Sequence, residues 1–181
     1  HDSHRRQRQM CIRDSLCACS NNVVIGTEAG CCASPSSAMV AIGYRAGKGA
    51  SAKNSGFTNT FVGVEAGCNN TSGQKNVFLG EGAGKKNCAG NANTFLGAYA
   101  GCGSTDSSHC YNTYIGCGAG RYQVDGQRNI AIGCGAYLPR LSDSDQIAFT
   151  GGYGTFGGLN EIYWIYGCCS GGCAHVGIGT T

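Results

Sequence analysis

The stretch Asn76-Val77-Phe78-Leu79-Gly80-Glu81-Gly82-Ala83-Gly84 is answered seventeen residues later by Asn93-Thr94-Phe95-Leu96-Gly97-Ala98-Tyr99-Ala100-Gly101. Working outward, the same unit, Asn-β-branched-x-aliphatic-Gly-x-x-Ala-Gly, begins at Asn22, Met39, Asn59, Asn112 and Asn129, the last copy closing on Tyr137 instead of Gly. The glycines that end the apolar run are Gly26, Gly43, Gly63, Gly80, Gly97, Gly116 and Gly133, spaced 17, 20, 17, 17, 19 and 17. A period near 17, with insertions confined to the polar stretch between copies, marks a stacked repeat.

Within each unit the β-branched residue and the aliphatic residue lie two apart, so they share one face of a strand. The column between them holds Val24, Ala41, Phe61, Phe78, Phe95, Tyr114 and Ala131 on the opposite face. Both faces ask for burial. The pattern predicts an all-β fold, a parallel β-solenoid (β-roll) of about 17-residue coils, with no helix. One such coil buries too little to order itself and must stack on neighbours about 4.8 Å away, giving a seven-coil rod of roughly 33 Å. The β-branched and aliphatic columns are expected in the core. The aromatic column, Phe61, Phe78, Phe95 and Tyr114, is then left for an oligomer interface. The Ala column fits a close approach of two walls, the Gly columns fit bends with positive φ, and the Asn column fits a ladder satisfying backbone groups between coils.

The organisation read from the pattern is a non-repeat segment over residues 1–20, a solenoid of seven coils over 21–137, and degenerate coils or a cap over 138–181. Residues 1–15 resemble translated adapter sequence and are set aside from the fold reading. The chain is expected to be a piece of a longer protein. Asp145 opens an imperfect eighth copy, and the run from Ile162 is either a ninth or a capping strand.

Composition narrows the function classes. Of 181 residues, 32 are Gly, 14 Cys and 2 Pro, and 13% are charged, about half of what an ordinary soluble domain carries. No apolar run approaches the roughly 18 residues of a membrane helix. The net charge of +3 comes largely from the first fifteen residues, so the body lacks the basic stripe that nucleic-acid binding needs. Neither membrane insertion nor nucleic acid is expected.

Cysteines at this density read as an oxidising, extracellular setting. Cys117 and Cys134 share a column one coil apart and are candidates for a disulfide, as are Cys168, Cys169 and Cys173 near the presumed cap. No paired zinc-knuckle spacing is present, and no metal or other cofactor is expected. His109 beside Cys110 offers a thiol-nucleophile pair only if neighbours on a strand faced the same way, which they do not. Gly80 to Lys86 looks like a phosphate loop but is one copy of the repeat. Carboxylates are scattered rather than paired, which disfavours a carbohydrate-cleaving solenoid. An ice-binding face is disfavoured because Val77 interrupts Thr60, Thr94 and Thr113.

The units N-T-F-L-G-A-Y-A-G and N-I-A-I-G, with H-V-G-I-G-T-T from His175, resemble the head repeats of trimeric autotransporter adhesins and of related bacteriophage tail-fibre and surface-fibre proteins. The resemblance spans Asn22 to Tyr137. It implies a left-handed β-roll in an intertwined homotrimer, displayed outside a cell or on a virion, which binds surfaces and does no chemistry. Fourteen cysteines are more than such heads usually carry, which leaves the secretion route open.

The expectation is therefore a non-enzymatic extracellular fibre or adhesin segment that associates with itself and binds host-cell surfaces or glycans through loops or tip. The alternative is a purely structural, disulfide-crosslinked filament or matrix protein. Binding is expected on the two longest loops, with Lys48, Lys53, Asp106 and His109 as ligand-loop candidates. Asn69 and Asn70 begin two overlapping N-glycosylation sequons in a predicted outer loop.

Overall fold

The structure, a computed structural model, describes residues 22–31, 38–49, 57–103, 108–138 and 142–150, and the backbone of two further strands at 163–170 and 173–177. Seven three-residue strands occur at the predicted places: β1 (Val23–Ile25), β2 (Val40–Ile42), β3 (Thr60–Val62), β4 (Val77–Leu79), β5 (Thr94–Leu96), β6 (Thr113–Ile115) and β7 (Ile130–Ile132). The eighth copy supplies β8 (Gln146–Thr150). These eight strands are parallel neighbours in chain order in one sheet, a β-solenoid, and no described residue is helical.

Register is strict. Val40 faces Thr60 across a 20-residue spacing and Thr94 faces Thr113 across 19, just as Thr60 faces Val77 across 17. The extra residues are thus extruded without slipping the stack, because a slip of one would turn every side chain to the other face. After β8 the direction reverses. β9 (Tyr163–Ser170) runs antiparallel to β8, and β10 (Cys173–Gly177) runs antiparallel to β9. The run from Ile162 is therefore a reversing strand rather than a ninth coil.

The two faces are the reverse of the sequence expectation. Phe61, Phe78, Phe95 and Tyr114 are fully buried within the single chain, together with Ala41, Ala131 and Ala148 from the same column. These four aromatic residues are the core and not an oligomer interface. The β-branched and aliphatic columns point outward, where Val23, Ile25, Val77, Leu79 and Leu96 are exposed. The cause is the length of the strand. In three residues only the middle one points inward, so a single side chain per coil must fill the lumen, and a ring fills it where Val does not. The rings stack along the rod: Phe78 on Phe95 at 4.8 Å and 6°, Phe95 on Tyr114 at 4.8 Å and 7°, and Phe61 on Phe78 at 5.3 Å and 32°. Ring pairs at such separations add about 0.5–1.5 kcal/mol each beyond their burial.

Glycine forms the opposite wall. A Cβ built on Gly47 would lie 2.6 Å from the Phe61 ring, so the lumen admits the ring only because that wall has no side chain. The glycine that ends each strand acts differently: Gly43 has φ 128° and a Cβ there would lie 2.6 Å from the carbonyl oxygen of Gly63. Coils stack backbone on backbone at this corner. Where the ring column shrinks to Val24 and Ala41, Met39 turns its thioether into the lumen, touching the positions of Gly30 and Gly47. That explains why this copy alone begins with Met. A flexible thioether fills the irregular gap left by the missing rings.

The Asn column satisfies the turn. Asn59 Oδ1 accepts the N–H of Asn76 at 2.9 Å, Asn76 Oδ1 that of Asn93 at 3.0 Å, and Asn93 Oδ1 that of Asn112 at 2.9 Å. Each Nδ2 donates to a carbonyl within its own coil, as Asn59 does to Gly73 and Asn112 to Gly126. Gln146 closes the series by donating its N–H to Asn129 Oδ1 at 2.8 Å. Every one of these buried amides thus uses both ends, which is how polar groups are tolerated inside a thin core.

Candidate interaction surfaces

The outer face of the sheet carries the two columns expected inside. From β1 to β8 it presents Val23, Val40, Thr60, Val77, Thr94, Thr113, Ile130 and Ile147 beside Ile25, Ile42, Val62, Leu79, Leu96, Ile115, Ile132 and Phe149, in register. At about 4.8 Å per strand the face is about 34 Å long. Ile25 is 52% exposed and Leu96 41%. The neighbouring corner adds exposed Tyr44 and Val64. Continuous apolar surface of this kind marks an interaction site rather than scattered exposed aliphatics.

A second surface follows the turn after each strand. Glu28, Arg45 and Glu65 stack in one column, all with φ near 56°. Arg45 Nε lies 3.0 Å from Glu28 Oε2, and its Nη1 lies 3.9 Å from Glu65 Oε1. Lys48 and Lys85 each reach back one further column to bond Glu28 and Glu65 at 2.6 Å. The hydrogen bond from Lys48, then that from Arg45, holds the Glu28 carboxyl below its usual range. Lys48, a ligand-loop candidate, is thus occupied in an ion-pair ladder.

The remaining loop candidates divide. Lys53 and Asp106 lie outside the described residues. His109 is corrected: it is fully buried, its Nε2 3.0 Å from the Gln123 carbonyl oxygen and its ring edge-on to Phe95 at 6.4 Å. Its carbonyl takes the Asn93 amide at 2.6 Å, the place held by Gly73 and Gly90 in earlier coils. The insertion in coil five is accommodated by folding His109 inward. Burial holds its ring below the usual histidine range. For glycosylation, Asn70 is excluded in the folded chain because its side chain is completely buried, with Nδ2 and Oδ1 both lacking hydrogen-bond partners. Asn69 is half-buried beside Cys68, whose thiol contacts its Oδ1.

The cysteine candidates are also corrected where they can be seen. Cys117 and Cys134 sit on adjacent coils, the N–H of Gly135 donating to the Cys117 carbonyl at 2.7 Å, but no disulfide joins them or any other described cysteines. In-register neighbours on parallel coils hold their Cα–Cβ bonds side by side. Their Cβ atoms therefore stay about 4.8 Å apart, outside the roughly 3.5–4.5 Å that a disulfide accepts. The side chains of Cys168, Cys169 and Cys173 lie outside the described residues, though the backbone register sets Cys169 opposite Ala174 and Cys173 opposite Ser170. Burial pushes the Cys68 and Cys102 thiols up. Among the described residues no three of His, Cys, Asp and Glu converge as a metal site.

Sequence reasoning passed over an aromatic and cationic ridge on the last coils. The Arg121 guanidinium lies 5.1 Å from the Tyr99 ring centre and 5.6 Å from that of Tyr122, and Tyr122 packs on Tyr137 at 5.3 Å. The available signal was Tyr137, which replaces the glycine that closes the six preceding units. No protein-family model, curated protein or solved structure matches the chain.

Proposed function

We propose that this chain is a segment of a non-enzymatic extracellular fibre or adhesin that associates with copies of itself, as a homotrimer, and holds to cell surfaces or glycans. The observation that carries the reading is the apolar outer face of β1–β8, which water covers poorly and which an identical copy matches rung for rung. Identical faces share one repeat distance, so the side chains of copies gathered around a common axis interdigitate along the whole length. The resemblance to fibre head repeats supports the same assembly. So does the absence of charge along the face, since charged side chains are the usual means of keeping a sheet from associating.

The test is light scattering on the native chain and on the double variant Val77→Lys, Leu96→Lys. A native oligomer that becomes monomeric in the variant, with unchanged β circular dichroism, is expected. A monomeric native protein refutes self-association. A structural filament crosslinked between chains is the second reading, and exposed Cys117 is the residue that favours it. Its distinguishing result is reductant-sensitive multimers on a denaturing gel.

A further inference from the structure

The second residue after each strand glycine adopts a left-handed conformation throughout, and coils four to six read Gly82, Tyr99 and Gly118 at this place. Gly82 lets Tyr99 lie flat on its backbone, since a Cβ there would come 2.8 Å from the Tyr99 ring. Tyr99 is further fixed by its hydroxyl, which donates to Glu81 Oε1. Arg121 is held by the faces of Tyr99 and Tyr122, and Tyr122 leans on Tyr137. Three rings and one guanidinium therefore form a ridge across coils five to seven. Arg121 and Tyr122 are exposed on it.

We propose that this ridge binds an acidic oligosaccharide, with a sugar carboxylate paired with the exposed Arg121 and a pyranose ring packed against the exposed edge of Tyr122. Tyrosine rings offer broad amphipathic area with few rotors to freeze, and the ring contacts hold the guanidinium fork ready for a carboxylate. Little ordering is left to be done on binding, which is where affinity is usually lost. A nucleic acid is disfavoured, because beyond residue 15 the chain carries nine basic against eight acidic groups and lacks the charge excess that phosphate binding needs. The proposal rests on the adhesive reading above and names the ligand class and its site.

The test measures retention of the full chain on immobilised oligogalacturonate, hyaluronan and oligosialic acid, with cello-oligosaccharide as the uncharged comparison. Arg121→Gln and Tyr122→Ala are compared with Lys75→Gln, which lies off the ridge. Circular dichroism checks that each variant folds. Binding to at least one acidic glycan that falls tenfold or more in both ridge variants, and not in Lys75→Gln, is expected. Acidic-glycan binding that survives both ridge variants overturns the site and leaves the adhesive reading standing. Equal binding to cello-oligosaccharide overturns the acidic ligand class. No binding to any acidic glycan overturns the proposal, and the adhesive reading falls with it only if the native chain also fails to attach to cells.

Discussion

Phe95 and Leu96 are consecutive residues of one strand, yet Phe95 is wholly buried between Phe78 and Tyr114 while Leu96 is 41% exposed on the other side of the sheet. The pair separates what holds a single chain together from what it offers to others. Replacing Phe95 by Ala opens a cavity in a lumen only one side chain wide, with Gly101 opposite unable to fill it. A loss of about 3–5 kcal/mol in urea unfolding is expected. Leu96→Ala, measured on the dissociated chain, should stay within about 1 kcal/mol.

Asn93 accepts the N–H of Asn112 and donates to the His109 carbonyl and to Asn76 Oδ1. Asn93→Ala takes these partners from the Asn112 N–H and the His109 carbonyl, whereas Asn76 Oδ1 keeps the backbone N–H of residue 93, and each orphaned group costs about 1–3 kcal/mol. Faster hydrogen exchange at the amide of Asn112 than at that of Asn76, whose acceptor Asn59 is untouched, would locate the damage.

Tyr114 ends the ring stack with a buried hydroxyl that has no hydrogen-bond partner. Asn129, the polar side chain that approaches it, spends its Nδ2 on the Asp143 carbonyl and its Oδ1 on the N–H of Gln146. Tyr114→Phe removes the orphan and keeps the ring. Its unfolding free energy from urea titration should be equal to the native one or higher, by about 1 kcal/mol. A clear loss of stability would mean that the hydroxyl is satisfied after all.

His109 introduces a pH dependence. Burial lowers its folded value below the ordinary 6.5, against a smaller raising effect of its hydrogen bond to the Gln123 carbonyl and of Asp125. The unfolded chain thus binds the proton more readily, and stability grows with pH. The contribution is complete above about pH 6.5 and declines as pH falls below that value toward the folded one. Urea midpoints from pH 7.5 to 5 should decline in the native chain and flatten in His109→Gln.

The thiols differ in reach. Cys117 is exposed, whereas Cys68 is 7% exposed with burial pushing its thiol up. Iodoacetamide at pH 8 should label Cys117 well ahead of Cys68, because the exposed thiolate is the reacting species. Peptide mass analysis that finds Cys117 bonded to Cys134 would reverse the assignment made above.

The period, the strand positions and the parallel stack were legible in the sequence, because columns such as Val62, Leu79, Leu96 and Ile115 recur at a spacing that only stacked coils produce. Alternation along Thr94, Phe95 and Leu96 also revealed two distinct faces. It could not say which face is inside, since both columns are apolar and a period of two has no sign. Only the closed coil decided that. Its lumen is walled by Gly101 and Ala100 and has room for one ring per turn, so volume selected Phe95 and turned Leu96 out. The same closure drew His109 and Asn70 inward from loops that their polarity alone had assigned to water. Adjacent coils also brought Cys117 and Cys134 level without joining them in a disulfide.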